Sequence, residues 1–162
     1  MVHLIHKKST RHDKITGDFG ENLACYFLSK FNYEVSIIDH VGIDLIAYNK
    51  KIGERIGISV KSRSREVDKY VAGIDIGGSN YNKVIESCKF FDLKPWFCFI
   101  VDEPKHDLTG KITFIMLSMK KLIEKYPKFS EGKALKFSVS DKSKDYYQND
   151  KETLFYEMNY TI

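Results

Sequence analysis

Two oppositely charged residues interrupt a pair of otherwise apolar segments. Asp44 opens the segment Ile43–Tyr48, and Lys61 lies near the end of a segment that begins at about Arg55. Both segments are rich in isoleucine, valine, leucine and alanine, which predicts two short buried strands. A lone carboxylate or ammonium group is costly to bury unless it is paired or coordinates a metal ion. The pair therefore indicates either a buried salt bridge or a site for a cation and a phosphate.

A polar turn over Asn49–Gly53 joins the two segments into a predicted antiparallel hairpin. If the hairpin has no bulge and its turn is centred after Lys51, Asp44 lies opposite Ser59. Side chains alternate between the two faces of a strand, so Ser59 and Lys61 share a face. We therefore expect Asp44, Ser59 and Lys61 to lie within reach of one divalent ion and one phosphate.

A third candidate, Glu21, lies near the start of a helix predicted over Asp18–Phe31. Apolar residues recur along this segment at a spacing that indicates a core-facing stripe, formed by Phe19, Leu23, Phe27 and Phe31. Asp18 and Glu21 have the spacing of a capping box, in which Glu21 closes on the helix backbone. The alternative is that Glu21 points past the start of the helix toward Asp44.

Length and composition favour one globular domain with a packed core. The chain has 162 residues, of which 43% are hydrophobic, and 26 Lys and Arg stand against 22 Asp and Glu. A net charge of +4 permits nucleic-acid binding without requiring it. The three separated cysteines predict free thiols in a reducing compartment. No apolar run approaches the roughly 20 residues of a membrane span, and no signal-peptide core is present, so we expect a cytoplasmic protein with no membrane partner.

The remaining pattern alternates helices and strands, which predicts an α/β fold with a mixed central sheet flanked by helices. A second helix is expected over Tyr81–Leu93, capped by Ser79 or Asn80. The apolar run Trp96–Val101 predicts a strand covered on both faces. Four further elements follow: a strand over Lys111–Leu117, a helix over Met119–Tyr126 capped by Ser118, a polar loop over Asp141–Lys151, and a sheet-edge strand over Thr153–Tyr160.

Three short motifs, GENLACYFL, GIDLIA and ISVKSR, together resemble the PD-(D/E)xK nuclease superfamily. The likeness is nearest to archaeal Holliday-junction resolvase-like and restriction-endonuclease-like members, and it covers roughly residues 17–101. It implies a restriction-endonuclease-like core. Residues 1–162 would then form a single nuclease-like domain, with the core at about 17–101 and a C-terminal extension at about 102–162.

The resemblance assigns roles to individual residues. Glu21 matches the helix glutamate of the superfamily, Asp44 its metal-binding aspartate and Lys61 its catalytic lysine. The implied ligands of Mg²⁺ or Mn²⁺ are Asp44 and Glu21, with the hydroxyl of Ser59 and the backbone carbonyl of Val60. The implied activity is metal-dependent hydrolysis of DNA phosphodiester bonds by an endonuclease that acts as a homodimer.

Two further expectations follow from this resemblance. Arg63, Arg65 and Lys83 would contact backbone phosphates of DNA. Ser59, however, stands where the superfamily usually has Glu or Gln, and a neutral hydroxyl is a weak ligand for a hard cation. The alternative function is therefore a catalytically inactive copy of the fold that binds nucleic acid or a protein partner.

Overall fold

The computed structural model of the protein describes residues 8–67 and 73–162. Within these residues the chain forms four α-helices, one 3₁₀-helix and eight strands. Their bounds are α1 His12–Lys30, β1 Tyr33–His40, β2 Ile43–Asn49, β3 Glu54–Ser64, β4 Gly73–Ile76, α2 Ser79–Phe90, β5 Lys94–Pro104, β6 Thr109–Ser118, α3 Met119–Lys125, the 3₁₀-helix Pro127–Glu131, β7 Leu135–Ser138, α4 Asp141–Asn149 and β8 Leu154–Thr161.

Among the described strands, six form one sheet in the order β1-β2-β3-β5-β6-β8, and β4 and β7 pair separately. Strands β3 and β5 run parallel, whereas every other neighbouring pair in the large sheet is antiparallel. The parallel pair requires a crossover connection, and α2 lies within it. The predicted α/β class, with a mixed central sheet flanked by helices, is confirmed.

Each face of the sheet is covered by its own apolar layer. Helix α1 packs Ala24, Phe27 and Leu28 against one face. On the other face lie α2, α3, the β4–β7 pair and α4. The run Trp96–Val101 forms most of β5, and its side chains alternate between these two layers as predicted: Phe97 and Phe99 enter one, Cys98 and Ile100 the other. Both faces of this part of the strand are buried, which is why the run Trp96–Val101 is apolar throughout.

Helix α1 begins at His12, six residues before the predicted start. Its N-cap is Arg11, which makes no side-chain capping bond, so Asp18 lies inside the helix and the capping-box interpretation of Asp18 and Glu21 is wrong. The buried face also differs, because Phe19 is exposed while Gly20 is buried. The rest of the predicted stripe does meet the sheet, since Phe27 is buried and Leu23 and Phe31 pack against the same apolar layer.

Two further differences concern local capping. Helix α2 starts at Ser79 with Gly78 as its N-cap, so neither Ser79 nor Asn80 caps it. The expected polar loop at Asp141–Lys151 contains α4, which is capped by the side chain of Ser140. The helix buries Lys144 and Tyr147, whose polar groups hid its inner face from a hydropathy pattern.

Ser118 caps α3 as predicted, since its hydroxyl accepts from the amide of Lys121. Strand β8 pairs with β6 at the sheet edge, also as predicted. The sequence also has a basic stretch over Lys61–Lys69 and a basic segment over Met1–Ile15, and both lie partly outside the described residues. None of the helices in the described ranges is both long and apolar enough to cross a bilayer.

Candidate metal and phosphate site

The hairpin of β2 and β3 has the predicted register. Leu45 pairs with Ile58 and Asn49 with Glu54, so Asp44 comes opposite Ser59 one step beyond the last pair. The carboxylate oxygen Oδ2 of Asp44 accepts a 2.6 Å hydrogen bond from the backbone amide of Val60. The hydroxyl of Ser59 lies 3.5 Å from the same oxygen. The end of the hairpin therefore fixes the carboxylate of Asp44 against the backbone of β3.

Strand β3 continues past the start of β2. One edge of residues 61–64 pairs with β5. The opposite edge, toward β2, lies beyond the last residue pair between β2 and β3. The N–H and C=O groups of one residue in an antiparallel ladder point to the same edge of the strand. Because the Val60 amide points toward Asp44, the Val60 carbonyl faces the same edge. A backbone oxygen thus accompanies the Asp44 carboxylate.

Glu21 approaches this point from α1. It lies three residues before Ala24 and seven before Leu28, on the helix face that packs against the sheet. Partial burial raises the pKa of Glu21, and the nearby carboxylate of Asp44 raises it further. A carboxylate whose ionisation is opposed by a neighbouring carboxylate is a position that a cation would stabilise. Glu21 thus lies near enough to Asp44 for the two carboxylates to interact, although it does so from within α1 and not from its start.

Lys61 lies in the same electrostatic neighbourhood. Burial lowers the pKa of the Lys61 ammonium group, the carboxylates of Asp44 and Glu21 act in the opposite direction, and Lys83 lowers it further. Among the ion pairs between described residues, none joins Lys61 to Asp44, and the two groups interact through space without a hydrogen bond. A direct salt bridge therefore does not account for the two charges.

The donors gathered here fit a cation that keeps part of its water shell. Within the described ranges, no group of three or more His, Cys, Asp or Glu side chains is arranged to hold a metal ion. Mg²⁺, however, is usually bound through one or two carboxylates, with waters and substrate phosphates completing its octahedron. Asp44 and Glu21, with the neutral oxygens of Val60 and Ser59, supply a set of that kind.

Comparison with solved structures shows a likeness in fold to a known nuclease. The chain is similar to Hjc, a Holliday junction resolvase of the archaeal hyperthermophile Archaeoglobus fulgidus. The identity is 13% and the TM-score 0.41, and the match covers 52% of this chain and 64% of the resolvase. The chain thus spans less than two thirds of the length of that protein. No protein-family model matches the chain, and no curated protein matches it.

The three predicted phosphate contacts differ in their exposure. Arg63 is 42% exposed and only loosely paired with Asp75, at 3.9 Å. Lys83 lies on the exposed side of α2 and is close enough to Lys61 to lower its pKa. Both cations are therefore accessible to solvent beside the site.

Arg65 has a different environment. Its side chain is 6% exposed and forms an ion pair with Glu103 of β5. Glu103 also accepts from Lys144 of α4, another nearly buried cation. The guanidinium of Arg65 is thus nearly buried and joins the chain that follows β3 to Glu103 of β5, which also pairs with α4.

A cleft of about 620 Å³ continues from the site along the extension of β3. Lys61, Ser62 and Arg63 form one wall, and residues near the start of α1, among them His12 and Thr16, form the other. The side chain of Lys8 also reaches this cleft, where it donates to the carbonyl of Ser64 at 2.7 Å.

The sequence analysis started α1 at Asp18 and so missed this second wall, because the preceding residues carry Lys7, Lys8, Arg11 and Lys14 and show no clear hydrophobic period. A usable signal was present nonetheless. His12, Thr16, Gly20, Ala24 and Leu28 recur every four residues, which places them along one helix face. Traced from the buried Ala24 and Leu28 toward the N-terminus, this four-residue spacing reaches His12, where the helix begins.

Proposed function

We propose that the protein is a metal-dependent DNA endonuclease of the PD-(D/E)xK superfamily that hydrolyses phosphodiester bonds. One observation carries the proposal. The carboxylate of Asp44 on β2 accepts a hydrogen bond from the Val60 amide. It also interacts electrostatically with Glu21 of α1 and with Lys61 of β3. An acid pair beside a desolvated amine is suited to holding a cation against a phosphate.

Each residue has a distinct part in this proposal. Asp44 and Glu21 would hold Mg²⁺ or Mn²⁺, assisted by the Val60 carbonyl and the Ser59 hydroxyl. The bound metal would polarise the phosphoryl oxygen and lower the pKa of an attacking water. Lys61, which is largely removed from water, would donate a hydrogen bond to the phosphoryl oxygen on which negative charge develops. A donor held in place is most effective at that oxygen. Arg63 and Lys83 bind neighbouring phosphates without reading sequence.

A second candidate function is an inactive copy of the fold that binds nucleic acid or a protein partner. It is favoured by Ser59, which is 1% exposed and places a neutral hydroxyl where an acidic ligand would strengthen cation binding. The expectation of a homodimer belongs with the enzyme, because cutting both strands of DNA needs two active sites. The expectations of a single nuclease-like domain and a cytoplasmic location also remain proposals.

Plasmid nicking tests the proposed activity. Supercoiled DNA is incubated with the protein and Mg²⁺ or Mn²⁺, and with EDTA as the metal-free control. We expect metal-dependent nicking that falls by about 100-fold or more in Asp44→Ala and in Lys61→Ala, the usual cost of removing a group that stabilises the transition state. Asp145→Ala and Lys142→Ala on the exposed side of α4 are matched controls and should nick at the wild-type rate.

The alternatives give different results in the same assay. DNA binding in a gel shift without any nicking by the wild type supports the inactive module. Nicking that survives in both Asp44→Ala and Lys61→Ala would show that another site, or a contaminating nuclease, is responsible. Sedimentation of the wild type with and without DNA tests the homodimer.

A further inference from the structure

A second, smaller pocket lies beside the proposed site, between α2 and the β1–β2 turn. Its volume is about 220 Å³, below the range of roughly 300–1,000 Å³ typical of sites for drug-sized ligands. One wall consists of Lys83, Glu86, Ser87 and Phe90, and the other of His40 and Val41. The four α2 residues are spaced i, i+3, i+4 and i+7, so they form a single stripe on the helix. The pocket suits one planar ring system rather than a helix or a strand.

The floor of this pocket is aromatic and open to solvent. The side chain of Phe90 is 80% exposed although it is large and apolar. The ring of His40 lies nearly parallel to it, at 19° and 6.3 Å between centroids. Phe91 meets both rings edge-on, at 5.0 Å from His40 and 5.1 Å from Phe90. The contacts with Phe91 and His40 hold the exposed face of Phe90 in a defined orientation.

The position of the pocket relative to Asp44 is fixed by the turn between them. A Cβ atom on Gly42 would come within 2.3 Å of the Lys83 carbonyl, and the φ of Gly42 is +98°. The hydroxyl of Ser87 donates to the carbonyl of Val41. The turn that leads into Asp44 is therefore packed directly on α2. Lys83 connects the pocket with the proposed site, since it lines the pocket and lies close enough to Lys61 to lower its pKa.

We infer that this pocket binds an unpaired nucleobase of the substrate, next to the phosphate held at Asp44 and Lys61. The inference rests on the proposed function and narrows the substrate class to DNA with an unpaired nucleotide near the cut. A base stacks on exposed aromatic rings in any sequence, because every base has a π-face. Lys83 neutralises the adjoining phosphate. Glu86 accepts from an exocyclic amino group, as carboxylates do with cytosine.

This combination of groups favours a base over a protein segment as the occupant. A protein partner would need a continuous apolar surface, but Lys83 and Glu86 lie within the same small pocket as Phe90. An aromatic surface interleaved with a cation is the arrangement that binds single-stranded nucleic acid. A second copy of the chain that covers Phe90 is the competing occupant, and the experiment below separates the two.

The test measures binding in EDTA, where no cleavage takes place. Three duplexes of equal length are compared: one fully paired, one with a single unpaired adenine, and one with an abasic site in place of that adenine. We expect the wild type to prefer the unpaired adenine. Phe90→Ala should weaken binding to that duplex by roughly 5- to 150-fold, the range for losing one stacked base. Phe90→Trp should keep the preference, and Tyr146→Ala, which removes a 53% exposed aromatic ring on α4, should leave it unchanged.

The abasic duplex makes the measurement specific, because Phe90→Ala and the wild type should bind it equally. Equal losses on the adenine and abasic duplexes would overturn the inference, as would no binding to any duplex. A change in sedimentation of Phe90→Ala with unchanged DNA affinity would assign the patch to a second copy of the chain. Metal-dependent nicking without any preference for the unpaired base would overturn the proposal that this pocket binds a base and leave the proposed nuclease activity in place. A preference that persists without nicking removes only the proposed catalysis.

Discussion

At the scale of single residues, Ser59 sets the strength of the candidate metal site. Its hydroxyl lies 3.5 Å from Oδ2 of Asp44, the same oxygen that accepts from Val60. A serine there contributes a neutral oxygen, so the negative charge of the site comes from Asp44 and Glu21 alone. Cation affinity depends strongly on the number of charged ligands. An acidic residue at position 59 should therefore strengthen metal binding by adding a third charged ligand.

Ser59→Glu tests this directly. In the absence of metal the variant should be less stable than the wild type, because a third carboxylate joins two that already repel each other and a larger side chain enters a buried position. Mn²⁺ should bind at least about tenfold more tightly than to the wild type, and it should raise the melting temperature by a correspondingly larger amount. Titration calorimetry and thermal unfolding at several Mn²⁺ concentrations measure both effects.

Ser59→Gln is the matched control, since it has nearly the same size as the glutamate variant and no charge. It should show the destabilisation caused by the larger side chain but little of the gain in Mn²⁺ affinity. If the two variants respond equally to Mn²⁺, residue 59 does not face the cation and the ligand set is wrong.

At the scale of secondary-structure elements, the contact between α1 and β3 positions Glu21. A Cβ atom on Gly20 would lie 2.7 Å from the Cβ of Ser62 and even closer to its hydroxyl oxygen. Real Cβ atoms do not approach each other so closely, so only glycine lets the helix reach the strand at this point. The neighbouring Glu21 is thereby held over the end of β3, next to Asp44.

Gly20→Ala should push α1 away from β3 and weaken both stability and activity. The free energy of unfolding should fall by about 1–3 kcal/mol, the usual cost of overpacking, although alanine is the better helix former. Urea unfolding measures the loss. Gly17→Ala on the same helix is the matched control, because nothing lies within 4 Å of the added methyl group. That variant should be as stable as the wild type or slightly more stable.

Ser62→Gly should relieve the clash in the double variant, so that a double-mutant cycle yields a favourable coupling free energy. Ser62→Ala keeps its own Cβ and should relieve the clash only in part. Purely additive losses would mean that Gly20 is required for another reason, and nicking by Gly20→Ala at the wild-type rate would separate Glu21 from catalysis.

At the scale of the whole molecule, a net charge of +4 is small for a nucleic-acid-binding protein, so the placement of the cations matters more than their number. Arg63 and Lys83 flank the candidate site, whereas Lys142 lies on the exposed side of α4, a helix that packs near β8 at the far end of the sheet order. Only cations that touch phosphates release counterions and contribute to the salt dependence of binding.

Arg63→Ala and Lys83→Ala should each weaken DNA binding at low salt and reduce the slope of log affinity against log salt concentration by about one. Fluorescence anisotropy between roughly 50 and 200 mM salt, the range over which such contacts are lost, measures the slope. Lys142→Ala should leave the slope unchanged. Equal slopes in all three variants would place the DNA elsewhere on the molecule.

The sequence predicted those parts of the fold that depend on residues close together in the chain. Strand alternation and turn residues predicted the β2–β3 hairpin with its register, and the apolar run predicted β5 as a strand covered on both faces. Helix boundaries were less accessible. The start of α1 has no side-chain cap, and α4 buries a lysine and a tyrosine in place of aliphatic residues.

By itself, the sequence determined which residues within the hairpin face each other, because a turn of fixed length and the alternation of side chains set the register locally. Only the tertiary structure decided where α1 sits along the sheet, and it is this placement that brings Glu21 close to Asp44. It also separated two similar arginines: Arg63 stays accessible, while Arg65 is buried against Glu103. The partners of Arg65 and Glu21 lie far away along the chain, and no local periodicity encodes such a contact.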